Sequence, residues 1–115
     1  MKSYDWIIKG GRVIDPENGI DGIRDVGIEA GRIVAVAEVL DFEGAKQVYD
    51  ATGKLVVPGL IDIHAHVYPL VIPLGVDADH YCLGRGVTTA VDAGSAGCDN
   101  FPGFRASTVE RAKTR

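Results

Sequence analysis

Up to Val57 the sequence is a series of short β-branched runs separated by glycine, and closely spaced strands are what that pattern predicts. The runs are Trp6-Ile7-Ile8, Arg12-Val13-Ile14, Val26-Gly27-Ile28, Arg32 to Ala37, Gln47-Val48-Tyr49 and Leu55-Val56-Val57. Lys9-Gly10-Gly11 and Glu29-Ala30-Gly31 offer the positive-φ positions of tight hairpins, while Asp15-Pro16-Glu17-Asn18-Gly19 reads as a longer loop of turn formers. Two similar units, each a short strand, a glycine and then Arg-Val-Ile or Arg-Ile-Val, predict hairpins packed face to face as a small β-sandwich.

Pro58-Gly59 marks a boundary, after which the pattern changes. Leu60 to Val67 is one extended run, Val76 to Leu83 carries a weak helical pattern with Asp77 as its cap and Gly84 and Gly86 at its end, and Val87 to Val91 is a second strand. Strand, helix, strand is the order of a parallel βαβ unit. A Gly-rich loop through Pro102-Gly103 follows, then helix formers from Phe104 to Arg115 with no stop signal, so the chain is expected to break off inside a helical pattern.

The segment richest in chemistry is Asp62-Ile63-His64-Ala65-His66. Alternation in a strand puts Asp62, His64 and His66 on one face and Ile61, Ile63, Ala65 and Val67 on the other. Imidazoles two residues apart lie roughly 6.5–7 Å apart at Cα, close enough for both to reach one ion at a Zn–N distance of about 2.0–2.1 Å. They sit near the carboxyl end of a strand that opens a βαβ series, which is where α/β sheets place their ligands. A half-exposed strand with two solvated histidines is the plainer reading of the same five residues.

The stretches DWIIKGGRVIDPENGI, DVGIEAGRIVAV and GKLVVPGLIDIHAHV, in that order, resemble the start of the amidohydrolase superfamily of metal-dependent hydrolases. GVDADHYCLGRGVTTAVDAGSAGCDNFPGFR is most similar to its amidohydrolase/deacetylase metallohydrolases, relatives of the dihydroorotases and N-acyl-amino-acid deacylases. The resemblance implies an α/β fold: a composite β-sandwich segment over residues 1–57, then, over residues 58–115, the first two βα units of an incomplete (β/α)₈ TIM barrel. A complete barrel needs about 250 residues and this chain has 115. The resemblance also implies that His64 and His66 bind metal, one or two divalent ions in the complete enzyme. Zn²⁺ is the expected ion, with Mn²⁺, Fe²⁺ and Co²⁺ compatible with the same donors. The implied reaction is hydrolysis of a C–N amide or related acyl bond of a small molecule by metal-activated hydroxide, deacetylation first among the options. Dihydroorotases typically carry H-x-H-x-R, whereas Tyr68 stands at the Arg position here, which disfavours dihydroorotate chemistry. The family's other ligands come from later strands, so the isolated chain is expected to be inactive. A non-enzymatic remnant or interaction module with idle histidines is the second reading.

Other residues have weaker signals. Asp62 is a candidate partner for an imidazole N–H, or a structural cap. Asp92 and Tyr68 are substrate-side candidates; for Asp92 the competing role is tying down the Ala93-Gly94 turn, for Tyr68 packing over the strand end. His80 reads as a surface or packing histidine, Cys82 as a small core residue and Cys98 as a loop thiol. Ala93-Gly94-Ser95-Ala96-Gly97 resembles a nucleophile elbow, but the loop expected over Cys98 to Gly103 leaves no immediate helix for it. Net charge of −4 disfavours nucleic acid as a partner, and two cysteines without CxxC spacing, behind no apolar leader, suggest a reduced, cytoplasmic setting without membrane attachment. An unpaired strand edge and an uncovered apolar face predict a homo-oligomer or a missing C-terminal segment to cover them.

Overall fold

The β-branched runs form five strands: β1 (Trp6–Asp15), β2 (Ile20–Glu29), β3 (Arg32–Ala37), β4 (Gln47–Asp50) and β5 (Leu55–Val56). They belong to a computed structural model that describes residues 3–115 and divides into two compact units, one through Pro58 and one from Gly59. In the first unit the strands join in one hydrogen-bonded sheet, order β3-β2-β1-β4, with β5 also beside β1. β1 to β2 and β2 to β3 are antiparallel hairpins, while β4 and β5 run parallel to the two halves of β1.

Two expectations are corrected here. The hairpins lie side by side, sharing β2, and not face to face, because both edges of that ten-residue strand are used for pairing. Lys9-Gly10-Gly11 is not a hairpin turn but a bulge within a single long β1, where the register steps between Ile8 and Gly11 and Gly10 takes φ 70°. The Gly10 amide donates to Asp25 Oδ1 at 2.8 Å, and Oδ2 of the same buried carboxylate accepts from the Leu40 amide at 2.9 Å. The second predicted turn is a true hairpin, with Ala30 and Gly31 both at positive φ, and the Ala30 amide donates to Asp5 Oδ2 at 2.7 Å.

Alternation along β1 buries Ile7 and Val13, which join Tyr4, Val26 and Ala51 in the core of this unit. Ile7 is 0% exposed, so Ile7→Val is expected to cost about 1 kcal/mol, read as a lower urea midpoint at unchanged slope. The rest of the apolar surface is less covered. Ile8, Val13, Val26, Ile33, Val36 and Val56 line an open trough of about 660 Å³, with Ile33 67% exposed.

The second unit contains β6 (Leu60–Ala65), α1 (Ala78–Tyr81), β7 (Val87–Asp92) and α2 (Phe101–Phe104). β6 and β7 pair in parallel with α1 between them in the chain. Asp77 caps α1 by accepting the His80 amide at 2.8 Å; the helix tightens into a 3₁₀ turn over Leu83–Arg85, and Gly86 ends it in the left-handed region. The core gathers Val67, Tyr68, Ala78, Cys82 and Phe104, with Ala65 packed against it. Ile61 and Ile63, on the same side of β6 by alternation, stay 65% and 77% exposed.

The C-terminal expectation is corrected as well. Phe101-Pro102-Gly103-Phe104 is helical where a loop was expected, because proline in a first turn has no amide that needs a partner. A π-helical turn over Arg105–Val109 follows, and the helix does not run on to Arg115. Asp79 competes for the backbone there: its carboxylate accepts the Lys113 amide at 2.9 Å and the Thr114 amide at 2.8 Å, bonds that hold its pKa below the ordinary value. Arg115 then donates to Thr88 O at 2.9 Å and accepts from the Ala90 amide at 2.7 Å, the pattern of a parallel bridge on the free edge of β7. None of the helices among the described residues is long and apolar enough to cross a membrane.

Candidate metal centre

β6 ends at Ala65, so His64 lies on the strand and His66 one residue past it. The register against β7 steps by one residue, from Asp62 opposite Ala90 to Ala65 opposite Asp92, and within that bulge Asp62 Oδ1 accepts the His64 amide at 2.9 Å. Bulges of this kind re-aim side chains near sites. The two imidazoles are neighbours in an edge contact: their ring centroids are 5.7 Å apart at an interplanar angle of 80°. Two rings sharing one zinc at a Zn–N distance of about 2.1 Å place their centroids about 5–6 Å apart, so the pair fits a common ion. His64 is exposed and His66 half-buried. Among the described residues no group of three or more His, Cys, Asp or Glu is placed to hold an ion, so the pair is at most half of a coordination shell.

β7 supplies the other side. Asp92, at its carboxyl end, accepts the Val67 amide on Oδ2 at 2.8 Å and the Gly94 and Ser95 amides on Oδ1 at 3.1 and 2.6 Å. Burial pushes its pKa up, but the Val67 and Ser95 amides, the Ser95 hydroxyl and the Gly94 amide together hold it below the ordinary value. Asp92 is therefore the clasp between the two strand ends. Both of its oxygens are engaged with backbone amides, two of them in the turn that is its competing role from the sequence.

Tyr68, the other substrate-side candidate, packs over the strand end. It is 8% exposed, with its ring 5.1 Å from that of Phe104, because the apolar ring finds a core at the strand end. The chain after it doubles back tightly: a Cβ on Gly75 would stand 2.2 Å from the Tyr68 carbonyl oxygen, and Val76 donates to His66 O at 2.9 Å. Asp62 meets the His64 amide rather than an imidazole N–H. His80 lies edge-on to Tyr81 at 4.7 Å; Cys82 is buried, its thiol pushed up by burial and by the charge of Asp62; Cys98 is exposed.

One contact was not anticipated. Ser95, weighed in the sequence only as a nucleophile, is buried with its Oγ 3.0 Å from His66 Nδ1. No local sequence signal marks it: Ala65 pairs with Asp92, and an Asx turn carries Ser95 back over the strand ends to His66.

A β-rich unit is followed in the chain by a parallel strand pair, with two neighbouring imidazoles at the carboxyl end of its first strand. No family model matches the chain. Among curated relatives, a dihydroorotase of Streptococcus pneumoniae is 48% identical over 60 residues, covering 52% of this chain and 14% of the relative. A deacetylase of Agrobacterium fabrum is 39% identical over 85 residues, 74% of this chain and 21% of the relative. Among solved structures, a dihydroorotase superposes with a TM-score of 0.83 at 29% identity, over 96% of this chain and 29% of that one. The zinc and phosphonate complex of an N-acyl-D-glutamate deacylase of Bordetella bronchiseptica superposes with a TM-score of 0.60 at 31% identity, over 79% of this chain and 19% of that one. The chain thus belongs to the amidohydrolase superfamily and spans less than a third of the length of these relatives.

Proposed function

We propose that His64 and His66 are the first two metal ligands of a hydrolase that cleaves a C–N amide or related acyl bond of a small molecule, with deacetylation as the specific reaction. The proximity of the two rings, with centroids 5.7 Å apart, carries this reading. The zinc complex of the deacylase and the similarity to a deacetylase over 74% of the chain support it. Tyr68 favours an acyl substrate over dihydroorotate: the position two residues after His66 holds a buried aromatic ring and offers no cation to a substrate carboxylate. Zn²⁺ suits imidazole donors and, when bound, supplies Lewis acidity toward a carbonyl oxygen. This chain's own residues hold and orient the donors: Asp62 fixes the His64 backbone, Asp92 fixes the strand ends, and Val76 fixes the His66 carbonyl.

The same reading makes the first unit one part of a composite β-sandwich, a further segment covering the apolar trough, and the second unit the first two βα units of a barrel. The parallel bridge at Arg115 supports the latter, since it starts a third strand in sequential order beside β7. A homo-oligomer or a further C-terminal segment covers Ile61 and Ile63, and the 115 residues alone are inactive because two ligands do not make a working site.

Elemental analysis of the purified protein with its remaining ligands in place, combined with assays on N-acetyl amino acids and on dihydroorotate, tests the reading. Bound first-row divalent metal and turnover of the N-acetyl substrates are expected. Metal-free protein, or turnover of dihydroorotate alone, would overturn it.

A further inference from the structure

The loop beyond Tyr68 is apolar throughout. From Pro69 to Val76 the chain reads Pro-Leu-Val-Ile-Pro-Leu-Gly-Val, without one polar side chain, and it forms turns rather than a helix or strand. Leu70 is fully exposed, Leu74 is 72% exposed and Val71 48%. A run of exposed apolar side chains adds nothing to a core and marks a surface with something to bind. The loop is also held in shape. Val76 donates to His66 O at 2.9 Å, which ties the loop's end to the backbone of the metal centre, and Gly75 donates to Ile72 O at 3.0 Å. Pro69 and Pro73 have φ fixed by their rings. Leu70 takes φ 67°, a left-handed conformation that residues with a Cβ rarely adopt, so the turn keeps this side chain in solvent against the preference of its own backbone.

What such a loop meets follows from its place and its charge. It leaves the carboxyl end of β6 directly after the two imidazoles, the end at which parallel strands place their ligands. The sequence has no lysine or arginine between Lys54 and Arg85, and Arg85 precedes β7, at the opposite end of the strand pair. An acidic group on a substrate finds no cation in this loop, whereas an alkyl or aryl group finds Leu70, Val71 and Leu74.

We infer that Leu70, Val71 and Leu74 are specificity-determining residues that select N-acyl amino acids with an apolar side chain over those with an acidic one. The inference rests on the proposed hydrolase reading and names the substrate class for it.

The test compares wild type with the Leu70→Ser/Leu74→Ser double variant, in the protein with its remaining metal ligands in place, on N-acetyl-leucine, N-acetyl-phenylalanine and N-acetyl-glutamate. Both side chains are exposed, so an unchanged melting temperature is expected, and Leu70→Gly removes one of them while suiting the positive φ. Wild type is expected to favour the two apolar substrates in kcat/KM by about tenfold or more, and the double variant to lose about tenfold of that preference through KM, with N-acetyl-glutamate unaffected. Leu70→Gly is expected to lose part of it. Calorimetric titration of the metal-free protein with N-acetyl-phenylalanine reads the loop without turnover, and an affinity about tenfold weaker in the double variant is expected. Preference of wild type for N-acetyl-glutamate, or an equal loss on all three substrates, would overturn the inference and leave the hydrolase reading intact. Self-association of wild type in sedimentation that the double variant abolishes at unchanged substrate preference would overturn it as well, since a second copy then covers the loop. Absence of both metal and turnover would remove the hydrolase reading. The titration then decides the loop by itself: equal affinity of wild type and double variant for N-acetyl-phenylalanine overturns the inference.

Discussion

Replacing His64 and His66 together by alanine is expected to abolish zinc uptake by this chain, with each single replacement reducing an already weak affinity. The ring centroids lie 5.7 Å apart, so on the proposed reading one ion uses both rings, and among the described residues no third donor is placed to compensate for losing either. Structural zinc sites use four protein ligands and catalytic sites three, so two imidazoles hold the ion weakly and one holds it hardly at all. The fold should be indifferent to the change. His64 is exposed, and the backbone contacts of both residues, from the His64 amide to Asp62 and from the Val76 amide to the His66 carbonyl, survive truncation to alanine. Calorimetric titration together with a thermal scan decides the matter: a flat isotherm at an unchanged melting temperature is expected. Zinc uptake by the double variant equal to that of wild type would place the ion elsewhere.

Asp92→Asn is expected to destabilise the second unit by about 2 kcal/mol near neutral pH, and the loss should shrink in acid. Its carboxylate receives amides from Val67, Gly94 and Ser95, bonds to a charged acceptor that are each worth about 1.5–3 kcal/mol when buried and less at this half-buried site. Asparagine keeps one acceptor oxygen and turns the other position into a donor facing an amide. The pH dependence follows from the depressed carboxyl pKa. A group that is more acidic in the folded chain takes up its proton more readily in the unfolded chain. Its contribution is complete above the ordinary aspartate pKa of about 3.9 and is lost as pH falls through the lower folded value. Asp5, Asp21, Asp50 and Asp79 are shifted the same way, so acid weakens the wild type as a whole, and the gap between wild type and variant isolates Asp92. Urea midpoints at about pH 7 and about pH 3 measure that gap. A gap that stays constant with pH would mean the carboxylate charge contributes nothing.

The two variants act on different properties of one place. On the proposed reading the histidines hold the ion, and of the two only His66 has a side-chain contact with the fold, through Ser95. Asp92 is the reverse: it touches neither ring, yet it joins the end of β7 to the residue that follows His66. Elsewhere the surface is apolar: an open trough lies over the first sheet, and Ile61 and Ile63 on β6 are exposed.

The sequence by itself determined what depends on near neighbours. β-branched runs gave strands at Arg32–Ala37 and Gln47–Asp50, Ala30-Gly31 gave a hairpin turn, and Asp77 capped a helix. Each is a property of a few successive residues. Tertiary structure alone decided what depends on register between distant segments. Gly10-Gly11 became a bulge because β2 pairs past it, Arg115 joined β7 because Asp79 takes the amides before it, and Ser95 met His66 because Ala65 pairs with Asp92. Alternation and propensity repeat every two to four residues and carry no information on which strand lies alongside, so they cannot specify these meetings. Burial and hydrogen-bond satisfaction across the sheet settle them.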